Sequence, residues 1–133
     1  MKMEDEVIEA IASSLERLRE GLEAKKTDEV PRKVWLAMSD IEYAAFMASM
    51  RLKEKPNISR RKGGAKIEND EVVPEVIRSA MTRLERLRQN AKNGDLESVY
   101  KEALRIHSDL LGILEYFEKK KKSERNESSS ISF

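Results

Sequence analysis

Apolar side chains recur along this chain at alternating intervals of three and four residues, in blocks separated by turn-forming residues. Ile8, Ile11, Leu15, Leu18 and Leu22 step by 3, 4, 3 and 4, which gathers them into one stripe along a helix. A first helix is therefore expected over 7–22, ending near Lys25 and Lys26, whose charges suit a helix C-terminus. Thr27 or Asp28 can cap a second helix, with Pro31 in its first turn and its end near Leu52. The same spacing returns in Val73, Ile77, Ala80, Leu84, Leu87 and Ala91, with Pro74 in the opening turn. Asn93 and Gly94 then stop the third helix, and Asp95 caps a fourth that carries Leu96, Val99, Ala103, Leu110, Leu114 and Phe117.

The turns at 26–29 and 92–95 are short, so each helix pair reads as an antiparallel hairpin. A lone hairpin cannot cover its own apolar face, and two of them close into an all-α four-helix bundle. The expected organisation is one domain over 1–122, with a hairpin at 4–53, a linker at 54–71 and a second hairpin at 72–121. Pro56, Asn57, Gly63 and Gly64 break the helical pattern in the linker. Residues 123–133 are expected to be a disordered polar tail, because almost nothing in them can be buried. The hairpins also resemble each other. Glu16-Arg17-Leu18-Arg19 matches Glu85-Arg86-Leu87-Arg88, and Ser39-Asp40-Ile41 matches Ser108-Asp109-Leu110; shared amphipathic patterning accounts for this as readily as duplication does.

Composition removes several classes of chemistry. With no Cys among 133 residues, thiolate nucleophiles, disulfides and cysteine metal sites are excluded. His107 is the only histidine, and the residue three before it is Leu104 rather than the Glu that a di-metal bundle requires. No metal or cofactor is expected. His107 falls in the apolar arc of the fourth helix, where a buried imidazole with one hydrogen-bond partner is the economical reading. Asp40 and Asp109 each follow a serine, border apolar stripes, and read as exposed flanking acids or as acids hydrogen-bonded locally to Arg or Lys. No catalytic triad, phosphate loop or dinucleotide fingerprint is present, so no catalytic residue is assigned and an enzyme is not expected. No apolar run reaches the roughly 18 residues of a membrane span, the acidic start MKMEDEVIEA does not resemble a leader, and a cytoplasmic location follows as the expectation. The abundance of Lys, Arg and Glu, with a single Gln, matches usage in thermophile proteins.

The second helix departs from a plain amphipathic pattern. Val34, Met38, Ile41, Ala45, Ala48 and Leu52 form one face, and Trp35, Leu36, Tyr43, Phe46, Met47 and Met50 cluster nearly opposite. A helix apolar almost all round must be enclosed by its neighbours or take part in an interface. Met and aromatic residues are enriched in interface cores. The expected function is thus a non-catalytic interaction module that forms a homodimer or binds another protein through this helix. A different class is nucleic-acid binding through the linker cations Lys53, Lys55, Arg60, Arg61, Lys62 and Lys66. That class ranks lower: the run has no aromatic residue on which bases could stack, Glu68, Asp70 and Glu71 follow it directly, and the net charge is only +1.

Overall fold

The computed structural model describes residues 3–26, 28–53 and 65–131, with side-chain surroundings given for 5–26, 28–53 and 65–125. Four helices follow in order: α1 (Met3–Glu23), α2 (Glu29–Leu52), α3 (Val72–Lys92) and α4 (Leu96–Ile131). The apolar stripes read from the sequence converge on one core, with Ile11, Leu18, Ile41, Ile77, Leu84 and Leu110 essentially excluded from solvent. The architecture is the expected four-helix bundle of two hairpins.

The helix ends show local chemistry in detail. At the close of α3, Gly94 adopts φ +78°, and the amides of Gly94 and Asp95 reach back to the carbonyls of Ala91 and Asn90. That is the Schellman arrangement, in which a left-handed residue satisfies carbonyls the helix leaves open. Asp95 then caps α4, accepting from the backbone amide of Ser98 at 3.2 Å and its hydroxyl at 2.7 Å. These two bonds hold the Asp95 carboxyl below its ordinary pKa, the hydroxyl contributing most. Asp28 occupies the N-cap position of α2 but makes no side-chain capping bond, which corrects its expected role; Thr27 lies outside the described residues. At the start of α3, Glu71 holds the N-cap position without a side-chain bond, and Asn69, unforeseen from sequence, accepts from the amides of Glu71 and Val72.

Around the bundle, α1 packs on α2 and α3, and α4 packs on α2 and α3, so α2 and α3 sit diagonally. A short turn cannot join diagonal helices, which accounts for the long linker between them. Its last residues cross the outer side of α4: a Cβ placed on Gly112 would lie 2.5 Å from the Ala65 carbonyl oxygen. Just beyond, Ile67 packs against the core. The α1–α2 contact is the most extensive of the four. Gly21 of α1 lies at this contact, where an added Cβ would sit 3.5 Å from the Lys33 Cβ. Both fully buried serines are satisfied locally, Ser14 donating to Ile11 O and Ser49 to Phe46 O at 2.7 Å.

The fourth helix runs ten residues past the expected end of its hairpin. Residues 121–125 are exposed, so this extension does not rest on core packing. Lys, Glu, Arg and Ser continue a helix already nucleated by packed residues, and propagation costs far less than nucleation. The helical backbone is described to Ile131.

Candidate functional site

Core packing assigns each side of α2. Val34, Ala37, Met38, Ile41, Ala44, Ala45, Ala48 and Ser49 are buried and form one arc on a helical projection. The α1 flank is marked by Lys33 paired with Glu20, by Asp40 accepting from Ser13 at 2.8 Å, and by Tyr43 donating to Glu6 at 3.4 Å. The α4 flank is marked by Glu42, whose Oε1 lies 2.6 Å from Nε2 of His107. The solvent-facing side, reaching the α1 flank at Tyr43, carries large apolar side chains: Trp35 is 58% exposed, Tyr43 47%, Phe46 43% and Met50 50%. Among the described residues these four are all of the exposed large hydrophobic side chains.

Not every residue expected at this surface is equally free. Leu36 and Met47 are half-buried, and Met47 packs against the core from the α1 side. They form the edge of the patch. Trp35, Tyr43, Phe46 and Met50 form its centre, with Arg32 and Ser39 exposed among them and Glu6, Asp40 and Glu42 beside it.

His107 is a mostly buried imidazole with a carboxylate partner, 14% exposed at its side chain, as its place in the apolar arc suggested. Asp40 and Asp109 have equivalent roles, each tying the second helix of its hairpin to the first: Asp109 accepts from Arg83 at 2.6 Å. Arg83 also bonds Glu102 at 2.6 Å. Partial burial opposes the charge of Arg83, and the bonds to Asp109 and Glu102 outweigh it, so its pKa is raised. This ion cluster crosses a cleft of about 350 Å3 between α3 and α4, where Arg86, Lys101, Arg105 and Asn90 also lie. Within it, Glu102 is engaged by both Arg83 and Arg105 and Lys101 by Glu97. The cleft is cross-braced by charge.

Of the linker cations, Lys55, Arg60, Arg61 and Lys62 lie outside the described residues. Lys53 and Lys66, at either side of them, are exposed. Among the described residues no three His, Asp or Glu side chains group as a metal ligand set, and no helix is long and apolar enough to cross a membrane. Comparison of the chain with protein-family models, with curated proteins and with solved structures returns no match.

A second anchor lies at the linker's end. The Tyr116 hydroxyl donates to Asp70, and Lys120 reaches both Asp70 oxygens at 2.9 and 3.0 Å. Tyr116, and then Lys120, hold the Asp70 carboxyl below its ordinary pKa. A depressed carboxylate stabilises the docked linker fully above its unfolded pKa of about 3.9, and that contribution is lost as pH falls through the lower folded value. The expected result in an NMR titration is that the Ile67 and Tyr116 signals move together with an apparent pKa below about 3.9. Asp70→Asn should abolish the transition. An Asp70 that titrates at or above its ordinary value would remove the anchor.

Proposed function

We propose that this chain is a non-catalytic helical-bundle module that self-associates into a homodimer through the outer face of α2. The observation that carries the reading is the placing of Trp35, Tyr43, Phe46 and Met50 on one solvent-facing strip. Taking about 200 Å2 for each large side chain, their exposed fractions sum to roughly 400 Å2 of exposed apolar side chain on one face of the helix. Patches of that size on soluble domains are often binding surfaces. An interface of standard size buries about 800 Å2 per partner, a little over half of it apolar, so the strip supplies the apolar share of one such interface. The polar flanks can supply the rim.

Static light scattering after size exclusion tests the reading. At about 50 µM, well above the Kd that a contact of this size ordinarily gives, the expected mass is twice the chain's 15.3 kDa. A monomer at that concentration rejects self-association.

A further inference from the structure

We infer that two copies join by packing their α2 helices antiparallel along a second, outward-facing heptad seam made of Leu36, Ser39, Tyr43, Phe46 and Met50. This rests on the self-association proposed above and adds its geometry. The five residues step by 3, 4, 3 and 4, the spacing of the contact positions in a two-helix coiled coil. On a helical projection the seam is centred opposite the buried arc of Val34, Met38, Ile41, Ala45 and Ala48. α2 thus carries two contact lines, one buried in its own bundle and one mostly open to solvent, touched within the chain where Tyr43 donates to Glu6. Over 36–50 the outer seam is about 21 Å long.

Charge and side-chain size both select the antiparallel arrangement. α2 opens with Asp28 and Glu29 and closes with Arg51 and the C-cap Lys53. Antiparallel pairing sets Glu29 beside the other copy's Lys53 and places Arg32 against the apolar Met50, whereas parallel pairing sets every charge against the same charge of the other copy. It also aligns the helix dipoles favourably. In the register that places Leu36 against the second copy's Phe46, Ser39 meets Tyr43, Arg32 meets Met50, and Glu29 meets Lys53. The small Ser39 then receives the large Tyr43, filling space as interiors do. Parallel pairing would stack Ser39 on Ser39 and Phe46 on Phe46, alternating voids with crowding. The hydroxyl of Ser39 is no obstacle to burial, because it donates to Trp35 O within its own helix at 3.2 Å.

Because the chain contains no cysteine, single substitutions give unambiguous cross-links. Leu36→Cys and Phe46→Cys chains, mixed and mildly oxidised, should form a disulfide between unlike chains, and Arg32→Cys with Met50→Cys should do the same at the seam's ends. Each single variant alone should give little cross-linking. Two copies of residue 46 lie about 15 Å apart along the axis in this register, and a disulfide needs Cα atoms within about 7 Å. Light scattering on the unoxidised mixtures separates the two claims. A dimeric mass with efficient cross-linking in the single variants overturns the antiparallel pairing in favour of a parallel one. A dimeric mass with neither mixture cross-linked overturns the register. Monomeric wild-type protein overturns self-association itself.

Discussion

Replacing Phe46 with Glu and Met50 with Lys should turn the dimer into a monomer while leaving the fold intact. The two side chains expose nearly half their surface in the isolated bundle. Together they offer on the order of 200 Å2 of apolar area per chain, equivalent to about 5 kcal/mol of transfer free energy. Introducing charge there loses that burial and adds the cost of desolvating the new groups, so a weakening of at least ~1,000-fold in Kd is expected. The bundle should not notice. Exposed substitutions ordinarily change stability by about 0.5 kcal/mol or less, and the new Glu and Lys stand four residues apart in the order that favours a helix. The measurements are mass by light scattering and helical circular dichroism on the same samples. A monomer with an unchanged spectrum and a Tm within a few degrees of wild type supports the interface. Unfolding would assign these residues to the core instead. Pairing Phe46 with Met47 would be a poorer test, because Met47 packs against the core and its loss costs stability for a reason unrelated to association.

Gly112→Ala should destabilise the protein, against the usual direction of that substitution in a helix. In a helix interior Ala is favoured over Gly by about 1 kcal/mol. Here the added Cβ would fall 2.5 Å from the Ala65 carbonyl oxygen, and the obstacle is backbone that cannot rotate away. Overpacking of this kind costs about 1–3 kcal/mol. The linker's end must lift, weakening the seat of Ile67 and the bonds from Asp70 to Tyr116 and Lys120. The expected outcome is a fall in Tm of roughly 3–5 °C, with faster trypsin cleavage after Lys66. A rise in Tm of the ordinary Gly-to-Ala kind would mean that the linker does not rest on α4.

Much of the fold was legible because helical periodicity is local. Stripes such as Ile11, Leu15 and Leu18, or Ile77, Leu84 and Leu87, identify their helices without knowledge of what they face. The stop at Asn93-Gly94 and the cap at Asp95 were equally plain, since each acts within one turn. Other details escaped for an identifiable reason. Asn69 accepts from amides at the start of α3 from the linker, where no periodic pattern marked a helix start, and Asp28 has the right chemistry at an N-cap but helical backbone angles (φ −73°, ψ −16°). Nothing near Gly112 in the sequence marks its role, which depends on a segment some 47 positions earlier that lands on it.

By itself, then, the sequence determined that there are four helices in two hairpins, which face of α1, α3 and α4 is buried, and that α2 has apolar residues to spare. Tertiary structure alone decided how that surplus divides. Because α2 is flanked by α1 and α4 and lies diagonal to α3, neighbours claim one arc and two flanks of it. The fourth side, with Trp35, Tyr43, Phe46 and Met50, is left in water. Residue periodicity can show that two faces are apolar, but which of them meets the core depends on where distant helices pack, and that is a property of the whole assembled chain.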